Sequence, residues 1–124
     1  MRIKLDYGRT GLDVELPEKN LVGPLQIRDA VPLANPGQAI AHAIDHPIGT
    51  PPLAQIAKGR KNACILICDF TRPVPNKLIL PPMLRILEDQ GIARDDIMIL
   101  VPTALHRPNQ GNDLEEMVGS AIVK

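Results

Sequence analysis

Aromatic residues are nearly missing from this chain of 124 residues, which has no tryptophan, one tyrosine (Tyr7) and one phenylalanine (Phe70). Two isolated rings build no stacking platform for single-stranded nucleic acid. Excess charge of either sign is lacking too. Fourteen basic residues are scattered among 14 acidic ones for a formal net charge of zero, so the electrostatic footprint of a polyanion-binding protein is absent and nucleic acid is excluded as a partner. No apolar run approaches the roughly 20 residues that span a bilayer. The opening Met1-Arg2-Ile3-Lys4 leads into alternating sequence and not into a signal peptide, so a cytoplasmic protein with no membrane partner is expected. The two cysteines, Cys64 and Cys68, fall on one predicted strand. With a rise of about 3.3 Å per residue they stand too far apart for a disulfide, and they read as small core residues in a reducing compartment. No glycine-rich phosphate loop of Rossmann or Walker type occurs, which removes the usual nucleotide signatures.

What is present fits a folded domain. Hydrophobic content of 44% and charged content of 23% are ordinary for soluble globular proteins, and the length suits a single domain over 1–124 with one modest core. The 13 prolines fall almost entirely between periodic segments, where they punctuate structure. Alternation over 2–6 and 12–16, separated by Tyr7-Gly8-Arg9-Thr10-Gly11, predicts an N-terminal β-hairpin. Residues 20–32 carry few periodic cues and read as an extended connection. Asn35-Pro36 then supplies an N-cap and a first-turn proline for a helix over 36–45, with Ala39, Ile40, Ala43 and Ile44 as its apolar stripe. A short helix over 52–58 follows, with Leu53, Ile56 and Ala57 inward and Gly59 as its stop.

The apolar run Ala63-Cys64-Ile65-Leu66-Ile67-Cys68 predicts a buried strand, and Ile97-Met98-Ile99-Leu100-Val101 predicts another. Between them 76–90 is helical, with Leu78, Ile79, Met83, Leu84, Ile86 and Leu87 as its apolar face, Gly91 as its stop, and Pro81-Pro82 expected to kink it or delay its regular part. Strand, helix and strand have βαβ spacing, so the strands should be parallel and right-handedly connected. A last helix over 112–118 carries Leu114, Met117 and Val118. The predicted fold class is α/β: a βαβ-containing, mostly parallel sheet with flanking helices and an N-terminal β-hairpin. The absence of a closing element at Ala121-Ile122-Val123-Lys124 raises the expectation that this is a piece of a longer polypeptide.

Each core strand gives way to a polar segment at its carboxyl end, where open α/β sheets bind ligands. After the first comes Asp69-Phe70-Thr71-Arg72-Pro73-Val74-Pro75, and after the second Pro102-Thr103-Ala104-Leu105-His106-Arg107-Pro108. Parallel neighbours lie about 4.8 Å apart, so adjacent strands would bring both segments to one crevice as its two lips. Arg72 offers a planar fork of donors for a carboxylate or phosphate. His106 is the one side chain at the lips that both takes and gives a proton near neutrality, which makes it the candidate acid/base. The plainer reading pairs Asp69 with Arg72 structurally and leaves His106 capping a carbonyl. His42 and His46 share a helix face but lack the glutamate of a zinc-protease helix, and the helix dipole accounts for histidine in a last turn, so no metal is assigned to this chain.

The two lip segments, at this spacing, resemble the paired signatures of the nickel-pincer-dependent lactate racemase family, and the hairpin and helices before them are similar to its N-terminal domain. The resemblance covers essentially the whole chain. It implies that Asp69, Phe70, Thr71 and Arg72 line a nickel pincer nucleotide, that Arg72 also approaches the carboxylate of a small 2-hydroxy acid, and that His106 is one of two catalytic histidines. In that family the histidine takes the hydroxyl proton while hydride leaves carbon for the cofactor, giving a keto acid that is reduced from either face. The second histidine, the cofactor-bearing lysine and the nickel-binding histidine of the family all lie beyond the region represented here. A missing C-terminal domain is therefore the expected partner, and the chain alone is expected to be inactive. Ala104 stands where the family commonly has glycine, a departure that bears on substrate identity. Two other functions fit the residues: a noncatalytic phosphate- or carboxylate-binding module using Arg72 and Arg107, and an interaction domain whose lips are ion-paired or covered.

Overall fold

The structure, a computed structural model, describes residues 1–23 and 25–123. Pro24, within the connection expected over 20–32, and Lys124, at the end of the stretch read as lacking a closing element, lie outside the described residues. The chain divides into two compact units, one within Met1–Pro32 and one from Leu33 onward.

In the first unit, strands β1 (Arg2–Leu5) and β2 (Leu12–Glu15) pair antiparallel, Ile3 opposite Val14 and Leu5 opposite Leu12. Alternation sends those four apolar residues to one face. On the other, Arg2 Nη2 donates to Asp13 Oδ2 at 3.1 Å. The Gly11 N–H donates to the Tyr7 carbonyl at 2.9 Å to close the turn. At φ +78°, and with a Cβ that would lie 3.1 Å from the Leu5 carbonyl oxygen, this position requires glycine. A 3-10 turn over Glu18–Asn20 follows, which the sequence did not announce.

In the second unit, α1 spans Pro36–Asp45, and the Asn35 side chain accepts from the Gln38 N–H at 3.1 Å as the expected N-cap. Ala39, Ile40 and Ile44 are half-buried, whereas Ala43 is exposed, so the stripe is narrower than its periodicity implied. The short α2 (Leu53–Ala57) buries Ala57. Ile56, expected inward, is exposed, because packing runs along the Leu53–Ala57 row and leaves it at the rim.

Strand β3 (Ala63–Leu66), helix α3 (Asn76–Asp89) and strand β4 (Ile97–Leu100) form the βαβ unit. The strands are parallel, Ala63 opposite Ile97 and Leu66 opposite Leu100, and the Ile67 N–H extends the ladder to the Leu100 carbonyl at 3.0 Å. Helix α3 begins at Asn76 and includes Pro81 and Pro82. Its inward row is Leu80, Leu84 and Leu87, and Leu80 is the most buried side chain at 1% exposure. Leu78, expected in the core, is 48% exposed, since two residues carry it roughly 200° around the helix from Leu80. The helix ends in a Schellman motif: the Gly91 N–H donates to the Glu88 carbonyl at 2.9 Å and the Ile92 N–H to the Leu87 carbonyl at 3.2 Å. Leu87 and Ile92 are buried in one cluster, the apolar contact that accompanies this cap.

Helix α4 (Asn112–Val118) buries Val118 with Ile67, Leu80 and Leu84, against half-buried Ile65, Ile97, Ile99 and Val101. Among the described residues the helices cover only that face of the β3–β4 sheet. The opposite positions Cys64, Leu66, Met98 and Leu100 are exposed, Leu66 to 66% and Met98 to 61%. The reading of Cys64 and Cys68 as core residues is thereby corrected, as both thiols are exposed. Alternation turns Cys64 to the uncovered face, and Cys68 lies past the end of β3. The fold is α/β, with an antiparallel hairpin, a parallel two-stranded sheet and flanking helices. Among the described residues no helix is long and apolar enough to cross a membrane.

Candidate functional site

The carboxyl ends of β3 and β4 open into a crevice of about 360 Å³ whose walls include Cys68, Asp69, Thr71, Arg72, Ala104 and His106. Each lip is shaped by a local turn. At the first, the Asp69 carbonyl accepts from the Arg72 N–H at 3.1 Å. Its Oδ1 accepts from the Thr71 N–H at 3.2 Å and from the Thr71 hydroxyl at 2.6 Å, the Asx arrangement that lets a short polar side chain fold the backbone over itself. At the second, the His106 N–H donates to the Thr103 carbonyl at 2.8 Å. Ala104, inside that turn, holds φ +48°, the one positive φ at a non-glycine among the described residues. The left-handed kink is strained for alanine.

The two turns bring Asp69 and His106 together across 37 residues of chain, with His106 Nδ1 in a short hydrogen bond to Asp69 Oδ2. The carboxylate is 6% exposed and the imidazole side chain 49%. The Thr71 hydroxyl, and after it His106, hold the Asp69 carboxyl below the usual carboxylate range. An ionised carboxylate only accepts, so the proton of this bond sits on Nδ1. His106 Nε2 makes no other bond among the described residues. The exposed Arg72 guanidinium likewise has no side-chain partner among them.

Phe70 stands apart from the crevice lining. Its ring lies under the Arg107 guanidinium, 4.6 Å from Cζ to the centroid, a cation–π contact between the two lips. Arg107 also pairs with Asp113 at the start of α4, and each favours the other's charged form, raising the arginine and lowering the aspartate. Arg107 is thus committed, and Arg72 is the crevice cation left without a side-chain partner among the described residues. His42 and His46 stack at 4.4 Å between centroids, with no third potential ligand among the described residues.

A family model described as the lactate racemase N-terminal domain matches residues 7–124. The chain belongs to the lactate racemase N-terminal domain family. The lactate racemase of Thermoanaerobacterium thermosaccharolyticum is 32% identical over 117 residues, covering 93% of this chain and 26% of that protein. The lactate racemase of Lactiplantibacillus plantarum is 34% identical over 125 residues, covering 98% of this chain and 29% of that protein. The solved structure of the lactate racemase apoprotein from T. thermosaccharolyticum matches with a TM-score of 0.72 and 28% identity, over 100% of this chain and 28% of that one. The chain therefore spans between a quarter and a third of the length of the lactate racemases it matches.

Within this lactate racemase domain, four of the five residues singled out from sequence, Asp69, Thr71, Arg72 and His106, line one crevice, while Phe70 does not. The Asp69–His106 bond replaces the Asp69–Arg72 pair of the plainer reading and frees the guanidinium. Sequence reasoning missed Cys68 as a wall residue and the Arg107–Asp113 pair. The approach to Gly111, where the chain turns at φ +54° into α4, was the available signal for the pair.

Proposed function

We propose that this domain supplies one half of the active site of a 2-hydroxy-acid racemase acting on lactate or a close analogue, the N-terminal part of a longer, two-domain protein. The observation that carries this reading is the joint presence, in one crevice of a lactate racemase domain, of a histidine oriented by a carboxylate and an arginine whose side chain has no partner among the described residues.

The donor set suits the nickel pincer nucleotide of the resemblance. A free guanidinium fits the phosphate of a nucleotide or the carboxylate of a hydroxy acid, and the Asp69–Arg72 loop would hold the group. When bound, that cofactor supplies the acceptor for a hydride. The work of this chain's own residues follows from their chemistry. Arg72 fixes the substrate carboxylate and so presents the hydroxyl to His106. Nε2 of His106 takes the hydroxyl proton as the C–H bond breaks with its electron pair, and returns it when the bond re-forms. An imidazole is far too weak a base to remove the unactivated C–H proton directly, so its role is confined to the oxygen. A second acid/base, for the opposite face, comes from the rest of the protein, and the isolated chain is accordingly inactive.

The test is intact-mass and nickel analysis of the full-length protein, produced together with cofactor-synthesis enzymes, paired with a D/L-lactate exchange assay on wild type and His106→Ala. A nickel-bearing adduct with His106-dependent interconversion is the expected result. An adduct without lactate turnover would direct the search to other hydroxy acids. No adduct, under conditions that load a family member, would overturn the racemase reading in favour of anion binding through Arg72.

A further inference from the structure

Asp69 was grouped with the cofactor-lining residues by resemblance, yet its carboxylate is turned to partners inside the chain. Oδ1 receives two donors from Thr71, the backbone N–H and the hydroxyl, and Oδ2 receives His106 Nδ1. We propose that Asp69 and Thr71 form a positioning relay, in which Thr71 locks the orientation of the Asp69 carboxylate and Asp69 in turn holds His106 as the Nδ1–H tautomer with Nε2 free as the base. This inference rests on the reading of His106 as the acid/base. It moves Asp69 and Thr71 from holding the cofactor to acting through the histidine.

Donor and acceptor counts decide the tautomer. A free imidazole places its proton on either nitrogen, and the partner of one nitrogen decides the state of the other. A carboxylate facing Nδ1 accepts only, so it selects Nδ1–H. The carboxylate must itself be held, because it sits at the end of a strand in a loop. Thr71 does this from two residues away with the 2.6 Å hydroxyl bond and the 3.2 Å amide bond. The low exposure of Asp69, 6%, keeps water from competing. Thr71's two donors also predict how an amide would sit. In Asp69→Asn the carboxamide oxygen would stay with Thr71, and the NH₂ group would be forced against His106 Nδ1. A donor facing Nδ1 demands a lone pair there, so the proton moves to Nε2 and the base is lost.

The tautomer is read directly by long-range ¹H–¹⁵N correlation NMR on the full chain labelled with ¹⁵N at histidine, at a pH where imidazoles are neutral. The His106 signals are assigned by their loss in His106→Gln. The expected result is an Nδ1–H to Nε2–H ratio of about tenfold or more in wild type, the scale of one hydrogen bond to a charged acceptor. The ratio should reverse in Asp69→Asn, stay in Thr71→Ser, and collapse toward an even mixture in Thr71→Val. An Nε2–H imidazole in wild type, or an unchanged ratio in a folded Asp69→Asn, overturns the relay. Should Asp69→Asn fail to fold, the Thr71 pair decides, and equal ratios in Thr71→Val and wild type overturn it. The readout needs neither cofactor nor substrate. A relay in a full-length protein that takes no cofactor adduct therefore sinks the racemase reading alone, and turnover with the wrong tautomer sinks the relay alone.

Discussion

Replacing Leu80 with alanine tests the packing beneath the crevice. Leu80 is 1% exposed and belongs to one cluster with Ile67, Leu84 and Val118; Ile67 lies two residues before Asp69, so this cluster supports the strand end that carries the first lip. The substitution deletes a Cγ and two Cδ carbons from a filled site. At about 0.8 kcal/mol per buried carbon the transfer cost alone is roughly 2.4 kcal/mol. A cavity that the neighbours do not fill raises the total to about 3–5 kcal/mol. Leu78→Ala is the control, because the sequence placed Leu78 and not Leu80 on the apolar face of this helix, while the structure buries Leu80 and leaves Leu78 48% exposed. Its cost is about 1 kcal/mol or less, since half the side chain is already in water and alanine is the better helix former. Urea unfolding followed by far-UV circular dichroism gives both values, with unchanged m-values as evidence that only stability moved. Equal losses in the two variants, or a larger one at Leu78, would refute the helix register that Leu80, Leu84 and Leu87 define.

Ala104→Gly should stabilise the protein by about 0.5–1 kcal/mol in the same assay. It relieves left-handed strain of roughly 1–2 kcal/mol against about 0.4–1 kcal/mol of added unfolded-chain entropy, and a net loss would show that the φ of +48° at this position is not strained. Acid stability should depend on Asp69 and Asp113, whose carboxyls are both lowered in the folded state. The sign follows from linkage. The unfolded chain binds their protons first as pH falls, so their contribution is complete above the ordinary carboxylate value of about 3.9 and is lost as pH drops through the lowered folded values. An Asp69→Asn/Asp113→Asn variant that unfolds along the same acid limb as wild type would contradict this.

Local chemistry was legible in the residues. Asn35-Pro36 marked the start of α1, Gly91 the end of α3, and the alternation of 2–6 and 12–16 the hairpin, because caps, turns and strand faces are set by neighbours within about four positions. The two lips were legible for the same reason, each being a polar segment directly after an apolar strand, and so was the placing of Asp69, Thr71, Arg72 and His106 at one sheet end. Which apolar row of α3 turns inward was not readable. Leucine, isoleucine and methionine occur on several of its sides, and the sheet selects Leu80, Leu84 and Leu87. The exposure of Cys64 and Cys68 depended on the sheet being covered on one face, which no strand pattern reports. The choice of Asp69's partner lay furthest from the sequence. Arg72 was three residues away and His106 was 37, yet the parallel register of β3 and β4 and the left-handed turn at Ala104 delivered the histidine, while Phe70 and Asp113 claimed Arg107. Residue types and their order determined that a crevice with a base and a cation would form at this sheet end; only the tertiary structure decided which carboxylate holds the base and which cation stays free, because those pairings depend on distances set by chain segments that never adjoin in sequence.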